Sequence, residues 1–433
     1  MSPNVDVTPI RNPLDVSALE KFLSRSQSPA PLATQASTKT PTICTLGPSV
    51  TSWPPPFMKA PFTVKQFKFG QSNPTYFVTD ANSRYFVLRR KPSPNNKLVS
   101  RSAHAIEREF FMLRAINICN EQTEKAGGPA SRLVPVPKVH LLCEDESVLG
   151  YVFYLMEFVD GRQLKNPSMP GMPQDEQNRH WQGIMETITA IHSLDAKTLS
   201  DELPASHFPQ FQPEKLFKTG GQSYFQRQAR TLSSVEALQT KTVDPIPSFG
   251  PLCQWVLENG PRDPDTPTLI HGDFKIDNVI FHPTEPRVVA VLDWELCTFG
   301  HPIFDLANFL QPFQLPNQLN LLLYKPDVTE MGIEQPGSLE AVHDKLRLYR
   351  EVLGHDWSDH DKTNNPVDNW DVGFVFGLLR LCVISQGIAM RVKRGSASSG
   401  EASGYARMYP LLSKLAVEYV KNSKKGKTSS VRL

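Results

Sequence analysis

Two short stretches constrain this 433-residue chain more than anything else in it. The first runs Leu269-Ile270-His271-Gly272-Asp273-Phe274-Lys275-Ile276-Asp277-Asn278-Val279-Ile280-Phe281, and the second runs Val289-Ala290-Val291-Leu292-Asp293-Trp294-Glu295. Short apolar segments bracket a polar loop, and a further apolar run ends on an acid. The pattern predicts strand, loop, strand, strand over residues 268–293. It places Asp273 and Asn278 five positions apart on one loop and Asp293 at a strand end. Oxygens so placed suit a hard cation such as Mg²⁺, which takes one or two protein ligands and leaves the rest of its shell to phosphates. A carboxylate near an attacking hydroxyl is the other requirement of phosphoryl transfer.

Upstream, residues 62–69, 75–79 and 84–89 read as strands, with turn compositions at 70–74 and 80–83. Residues 102–118 read as a helix with Ile106, Phe110, Leu113 and Asn117 on one stripe, followed by strands near 138–143 and 151–158. The order is β-β-β-α-β-β. Past Gly161 the chain turns helical: residues 174–194 carry Trp181, Ile184, Met185, Ile188 and Ile191 on one face, and 304–313, 339–353 and 372–392 are also helical. Residues 204–260 mix loops and helices without a clear pattern. Residues 15–25 form a short helix capped by Asp15. From residue 24 to 56, 19 of 33 residues are Ser, Thr or Pro, and no acid occurs from Lys21 to Thr79; this segment is expected to be a mobile insertion.

The totals exclude several classes. Lys and Arg number 46 against 44 Asp and Glu, so no basic excess marks a nucleic-acid or membrane-surface binder. No run approaches 18 apolar residues, which argues against a spanning helix. The start lacks the basic-then-apolar pattern of a secretory signal. The six cysteines lie at least 24 residues apart, so zinc-type spacing is absent and reduced thiols are expected.

The His-Gly-Asp loop with Asn five positions after the Asp, followed by the strand ending Asp293-Trp294-Glu295, resembles the aminoglycoside phosphotransferase and choline kinase-like family. More narrowly, the chain is similar to the kinase-like domain that precedes the dehydrogenase module in some acyl-CoA dehydrogenase family proteins. The segments that carry this likeness are Gly70-Gln71-Ser72-Asn73-Pro74-Thr75-Tyr76, Ala103-His104-Ala105-Ile106-Glu107-Arg108-Glu109, His282-Pro283-Thr284-Glu285-Pro286 and Leu292-Asp293-Trp294-Glu295-Leu296. The likeness spans residues 14–410, interrupted by the Ser/Thr/Pro segment.

The resemblance implies an α+β, protein-kinase-like fold in two lobes, a small β-rich N-lobe and a larger, mainly helical C-lobe. The division expected is an N-terminal extension at 1–60, the N-lobe at 61–158, the C-lobe at 159–419 and a basic tail at 420–433. ATP and Mg²⁺ are expected in the cleft between the lobes. Asp273 is implied as the catalytic base or acceptor-orienting group and Lys275 as a cation near the transferring phosphate. Asn278 and Asp293 are implied as metal ligands. Gly70, Gln71, Ser72 and Asn73 are implied as the loop over the phosphates. Arg89 stands at the phosphate-binding lysine position with Glu109 as its partner and Glu107 as runner-up. Met156, Glu157 and Phe158 form the hinge that reads the nucleotide base. His271 is assigned to holding the loop, Asp305 to buttressing it, and His192 to structure. Three departures stand out: Phe69 in place of a glycine, Arg89 in place of lysine, and His301 where an aspartate is common.

The implied reaction is transfer of the γ-phosphoryl from ATP to a small-molecule hydroxyl, by resemblance a 4-hydroxyacyl-CoA. A separate acyl-CoA dehydrogenase-type partner would then act on the product. A choline- or aminoglycoside-like alcohol and an inactive kinase-like scaffold stay open as alternatives. Arg380, Gln386 and Arg391 could reach an acceptor, although the glycines on their helix suggest close packing. The segment 220–228 is read as a lining of the acceptor pocket. A cytoplasmic location is expected. The acid-poor start and the terminal Val431-Arg432-Leu433 keep mitochondrial and peroxisomal alternatives open.

Overall fold

The computed structural model describes residues 5–25, 44–50, 57–68, 73–92, 105–218, 221–316, 319, 339–358, 364–395 and 402–423. The chain divides into two compact units that interleave along the sequence. One comprises Met1–Gln163, Leu194–Leu216 and Asn278–Cys297; the other comprises Leu164–Ser193, Phe217–Asp277 and Thr298–Leu433.

The first unit is built on a seven-stranded antiparallel sheet. Its strands are β1 (Val7–Thr8), β2 (Cys44–Leu46), β3 (Thr63–Phe67), β4 (Thr75–Thr79), β5 (Tyr85–Arg90), β6 (Val139–Cys143) and β7 (Phe153–Glu157). They lie in the order β1-β3-β4-β5-β7-β6-β2. The β-β-β-α-β-β order read from the sequence is the centre of this sheet. The two outermost strands come from the N-terminal segment. That is a correction: within the Ser/Thr/Pro stretch expected to be a mobile insertion, Cys44–Leu46 is an ordered edge strand, with Thr45 opposite Leu142. Cys44 and Leu46 fall on alternate positions, and Cys44 is buried on the core, which is enough to seat a short strand. Cys44 lies directly opposite Cys143, and both thiols are free.

One side of this sheet packs on the helix Val16–Leu23. Its Asp15 cap accepts from the Ala18 N–H at 2.8 Å, and it buries Leu19, Phe22 and Leu23 against Tyr76, Val78, Leu88, Phe153 and Leu155. The helix Ile106–Lys125 packs against β6 and β7 and buries the predicted stripe Ile106, Phe110, Leu113 and Asn117. Asn117 is tolerated there because its side chain accepts from Val139 N–H (3.1 Å) and donates to Pro137 O (3.4 Å). A smaller sheet joins β8 (Arg162–Gln163), β10 (Val279–Phe281) and β11 (Val288–Val291) in the order β11-β10-β8.

The second unit is mainly helical. β9 (Thr268–Ile270) and β12 (Thr298–Gly300) form its one strand pair among the described residues. The helix Gln174–His192 buries Trp181, Ile184, Met185, Ile188 and Ile191, the face read from its periodicity. The stretch 204–260 contains the helices Tyr224–Gln239 and Phe249–Asn259, the first closed by a capping box between Ser223 and Gln226. The core helix is Trp370–Lys393. It has the length and mean hydropathy (1.8) of a membrane span, although polar residues interrupt its apolar run. Fully 72% of its most apolar window is buried within the protein, so core packing accounts for its composition. Its glycines allow close approach: a Cβ on Gly373 would lie 2.7 Å from Ile303 Cγ1, and one on Gly387 would lie 2.7 Å from Gln239 Nε2. The basic tail beyond residue 423 lies outside the described residues.

Candidate active site

In the first unit the chemistry gathers around Arg89. Strand β5 ends in Leu88-Arg89-Arg90, and its register sets Arg89 opposite Tyr154 on β7. The Arg89 guanidinium reaches Glu109 on the helix Ile106–Lys125, Nη1 to Oε1 at 2.5 Å, and its Nη2 lies 3.5 Å from Asp293 Oδ1. Glu107 turns instead to Lys91. Burial alone would pull the guanidinium down, but Glu109 first, then Tyr154 and Asp293, hold it above its ordinary value. Burial raises the Glu109 carboxyl, and Arg89 pulls it back. The guanidinium itself keeps its proton, because that group does not give it up in a protein.

Asn278 and Asp293 are brought together by the β10–β11 hairpin. Val279 pairs with Val291, and the Leu292 N–H donates to the Asn278 carbonyl at 2.8 Å. Residues fifteen positions apart in sequence thus meet at one hairpin end. Asp293 adopts a left-handed backbone (φ 71°), an arrangement that costs a non-glycine residue about 1–3 kcal/mol. Arg89 Nε, Asn73 Oδ1 and Asp293 Oδ1 are buried without a hydrogen-bond partner among the described residues, Asp293 Oδ1 keeping only its long contact to Arg89. Buried donors and acceptors left in this way are what a nucleotide phosphate with its cation would satisfy. No group of three or more His, Cys, Asp or Glu ligands occurs among the described residues, and Mg²⁺ on phosphates needs none.

Asn73 was assigned to the phosphates. Its side chain is wholly buried, and its Nδ2 donates to Glu295 Oε2 at 3.2 Å, which ties the start of β4 to the turn after Asp293. Gly70, Gln71 and Ser72, with Phe69, lie outside the described residues. Glu157 closes β7 with its carboxylate on the Lys138 N–H (3.1 Å). The Phe158 ring meets Phe77 edge-on at 5.0 Å.

In the second unit the loop after β9 is held from below. Asp305, fully buried on the helix Ile303–Leu310, accepts from His271 N–H (2.6 Å) and Gly272 N–H (2.8 Å). Gly272 has φ +82°, a conformation that favours glycine. His271 Nδ1 accepts from the Asp273 N–H at 3.2 Å. Behind Asp305, His192 places Nε2 3.3 Å from its Oδ2 and Nδ1 2.9 Å from the Tyr349 hydroxyl, which also accepts from Trp357 Nε1 (3.3 Å). With the Tyr349 hydroxyl donating to Nδ1 and His192 Nε2–H donating to Asp305, every bond in the chain has a donor and an acceptor. The Asp273 carboxylate keeps a quarter of its surface exposed, with Lys275 Nζ at 3.2 Å and Asn308 Nδ2 at 3.5 Å. Asn308, Tyr349 and Tyr154 were not singled out from the sequence, and Glu295 entered only as part of the Asp293-Trp294-Glu295 motif. Each acts across a separation no local pattern encodes.

His301 is also buried, and burial pushes its pKa down to about 3 from 6.5. A ring kept neutral in the fold but protonated when unfolded stabilises above the unfolded pKa, and that stability is lost as pH falls. Unfolding free energy should therefore drop between pH 6.5 and about 3, and His301→Asn should flatten that part of the curve in denaturant titrations across pH.

A sheet of this order and a mainly helical unit, the one carrying the acid after the second hairpin strand and the other the held Asp loop, define a kinase-like phosphotransferase fold. The chain belongs to the phosphotransferase enzyme family, whose profile matches residues 63–325. It is 35% identical over 362 residues to acyl-CoA dehydrogenase family member 10 of Mus musculus, covering 83% of this chain and 29% of that protein. It is 34% identical over 345 residues to acyl-CoA dehydrogenase family member 11 of the same organism, covering 79% and 38%. The chain thus spans about a third of the length of these curated relatives. Among solved structures it is similar to a candidate aminoglycoside phosphotransferase of Ralstonia eutropha, with 30% identity, 95% and 100% coverage, and a TM-score of 0.61.

Proposed function

We propose that the chain transfers the γ-phosphoryl group of ATP to the hydroxyl of a small molecule, with a 4-hydroxyacyl-CoA as the acceptor that the family resemblance suggests. The observation that carries this is the loop built by Asp305: two backbone N–H bonds fix residues 271 and 272 and leave the Asp273 carboxylate presented beside Lys275. Asp273 takes the role of orienting the acceptor hydroxyl and receiving its proton, at Oδ1 or Oδ2. Lys275 offers a positive charge to the transferring group. In the first unit, Arg89 offers its guanidinium to the donor phosphates while Glu109 holds it. Asn278 and Asp293 are the residues that would hold Mg²⁺, which when bound neutralises phosphate charge. Six buried, free thiols suit a reducing compartment, and a cytoplasmic site is part of the proposal. A separate dehydrogenase-type protein is proposed to take up the product.

The test is ADP formation by the purified chain with Mg²⁺-ATP against hydroxyacyl-CoAs, choline, an aminoglycoside and homoserine. Turnover on a hydroxyacyl-CoA alone supports the full reading. Turnover on choline or the aminoglycoside alone keeps the phosphotransferase and replaces the acceptor. Arg89→Lys should keep the Glu109 contact and lose the second arm toward Asp293. The expected result is a Kd for Mg²⁺-ATP about tenfold weaker by calorimetry, with the fold intact by circular dichroism.

A further inference from the structure

We infer that Arg108 is a positioning residue for the Arg89–Glu109 pair, which it sets by docking their helix on the segment Leu194–Leu216; the inference rests on the phosphotransferase reading above. Glu107, Arg108 and Glu109 share the first turn of the helix Ile106–Lys125 and take three different partners. Glu109 holds Arg89, and Glu107 holds Lys91 just past the end of β5. Arg108 goes instead to the segment 194–216. Its Nη1 donates to the His207 carbonyl at 3.1 Å, and its guanidinium lies 4.4 Å from the centre of the Phe208 ring and 5.6 Å from that of Phe211.

The helix start needs such support. Ala105 stands at its N-cap position and supplies no side-chain bond to the first turn, so tertiary contacts fix where that turn sits. The segment that receives Arg108 is built as a firm seat. It belongs to the same compact unit as the helix, although the chain before it, to Ser193, and after it, from Phe217, belongs to the other. Its helix Ala196–Asp201 packs on Ile106–Lys125, and Arg114 Nη1 lies 3.4 Å from Glu202 Oε2. The His207 ring lies 4.8 Å from that of Phe111, with Nε2 3.2 Å from Glu144 Oε1. Phe208 and Phe211 are both buried, 5.4 Å apart between ring centres. Gln212 Nε2 donates to the Leu203 and Phe208 carbonyls at 3.2 and 3.1 Å and so closes the loop that carries the rings. The guanidinium therefore rests on aromatic faces that are themselves held.

The place of this turn matters to the site. The helix Ile106–Lys125 also packs on the turn Trp294–Leu296, which follows Asp293 directly. Glu109 is the next residue after Arg108, so any shift of the turn carries the carboxylate that fixes Arg89. A charge-assisted bond as short as the Arg89–Glu109 contact, at 2.5 Å, weakens with a small displacement.

Amide hydrogen exchange and Mg²⁺-ATP calorimetry test this on the full chain, with Arg108→Ala, Arg108→Lys, Glu109→Gln and the Arg108→Ala, Glu109→Gln double variant beside the wild type. In the nucleotide-free chain, Arg108→Ala should speed exchange at residues 110–113 roughly tenfold or more and leave β3 and β4 unchanged. Its Kd for Mg²⁺-ATP should be about five- to tenfold weaker. Arg108→Lys should recover part of both effects, because a charge still rests on the rings. In the Glu109→Gln background, Arg108→Ala should weaken the Kd by less than about twofold, since the link it acts through is already cut. Unchanged exchange in Arg108→Ala would overturn the inference whether or not ATP binds. Faster exchange with wild-type ATP affinity, or the full loss of affinity persisting in the Glu109→Gln background, would overturn it too. Faster exchange in Arg108→Ala beside a wild-type chain that binds no Mg²⁺-ATP would instead count against the preceding reading and leave Arg108 as the residue that seats the Glu109 helix.

Discussion

Replacing Asp273 by Asn should lower kcat by about 10²–10⁴-fold while leaving the Kd for Mg²⁺-ATP within about twofold. The Asp273 side chain keeps a quarter of its surface exposed. The loop's conformation is set by Asp305, through His271 and Gly272. An Asn of the same shape therefore keeps the loop and removes the proton acceptor. The Asn308 amide, 3.5 Å from Asp273 Oδ1 and 3.1 Å from the Phe274 carbonyl, can remain in place. Steady-state kinetics beside calorimetry separate the two quantities. A fall in nucleotide affinity matching the fall in kcat would mean that the variant had disturbed binding and not the transfer step.

Asp305→Ala should have the largest effect on the fold, about 3–5 kcal/mol of stability with loss of turnover. Asp305 is wholly buried and holds three groups at once: two backbone N–H donors and His192. Without it, His271 N and Gly272 N are left buried and unpaired, each at a cost of about 1–3 kcal/mol. His192 loses the acceptor for its Nε2 proton. Asp305→Asn is the informative companion. It can accept one backbone bond but presents an NH₂ to the other donor, so it should fall between wild type and Ala in urea midpoint. A variant as stable as wild type would show that the loop holds itself.

The elements were legible where a period or a motif is local. The stripe of Gln174–His192, the Asp15 cap and the strand–loop–strand around Asp273 each lie within one window of sequence. The site was legible in its residues but not in its supports. Asn73 was read with the glycine loop it follows, yet its amide nitrogen goes to Glu295, 222 positions away. Tyr349 reaches His192 across 157 positions, and Tyr154 meets Arg89 only because the sheet sets them in register. β2 was missed for a related reason. A three-residue edge strand in a Ser/Thr/Pro stretch has no propensity to announce it and exists because β6 offers an open edge. The span-like composition of Trp370–Lys393 is likewise explained by what surrounds it.

The central claim is that this chain moves a phosphoryl group from ATP to an alcohol through Asp273. Phosphorus-31 NMR of the purified chain with Mg²⁺-ATP and a 4-hydroxyacyl-CoA tests it most directly. The account predicts a new phosphomonoester resonance growing with ADP in the wild type and absent with Asp273→Asn. Equal growth of that resonance in the Asp273→Asn sample, or ADP formed with no phosphomonoester in the wild type, would contradict it.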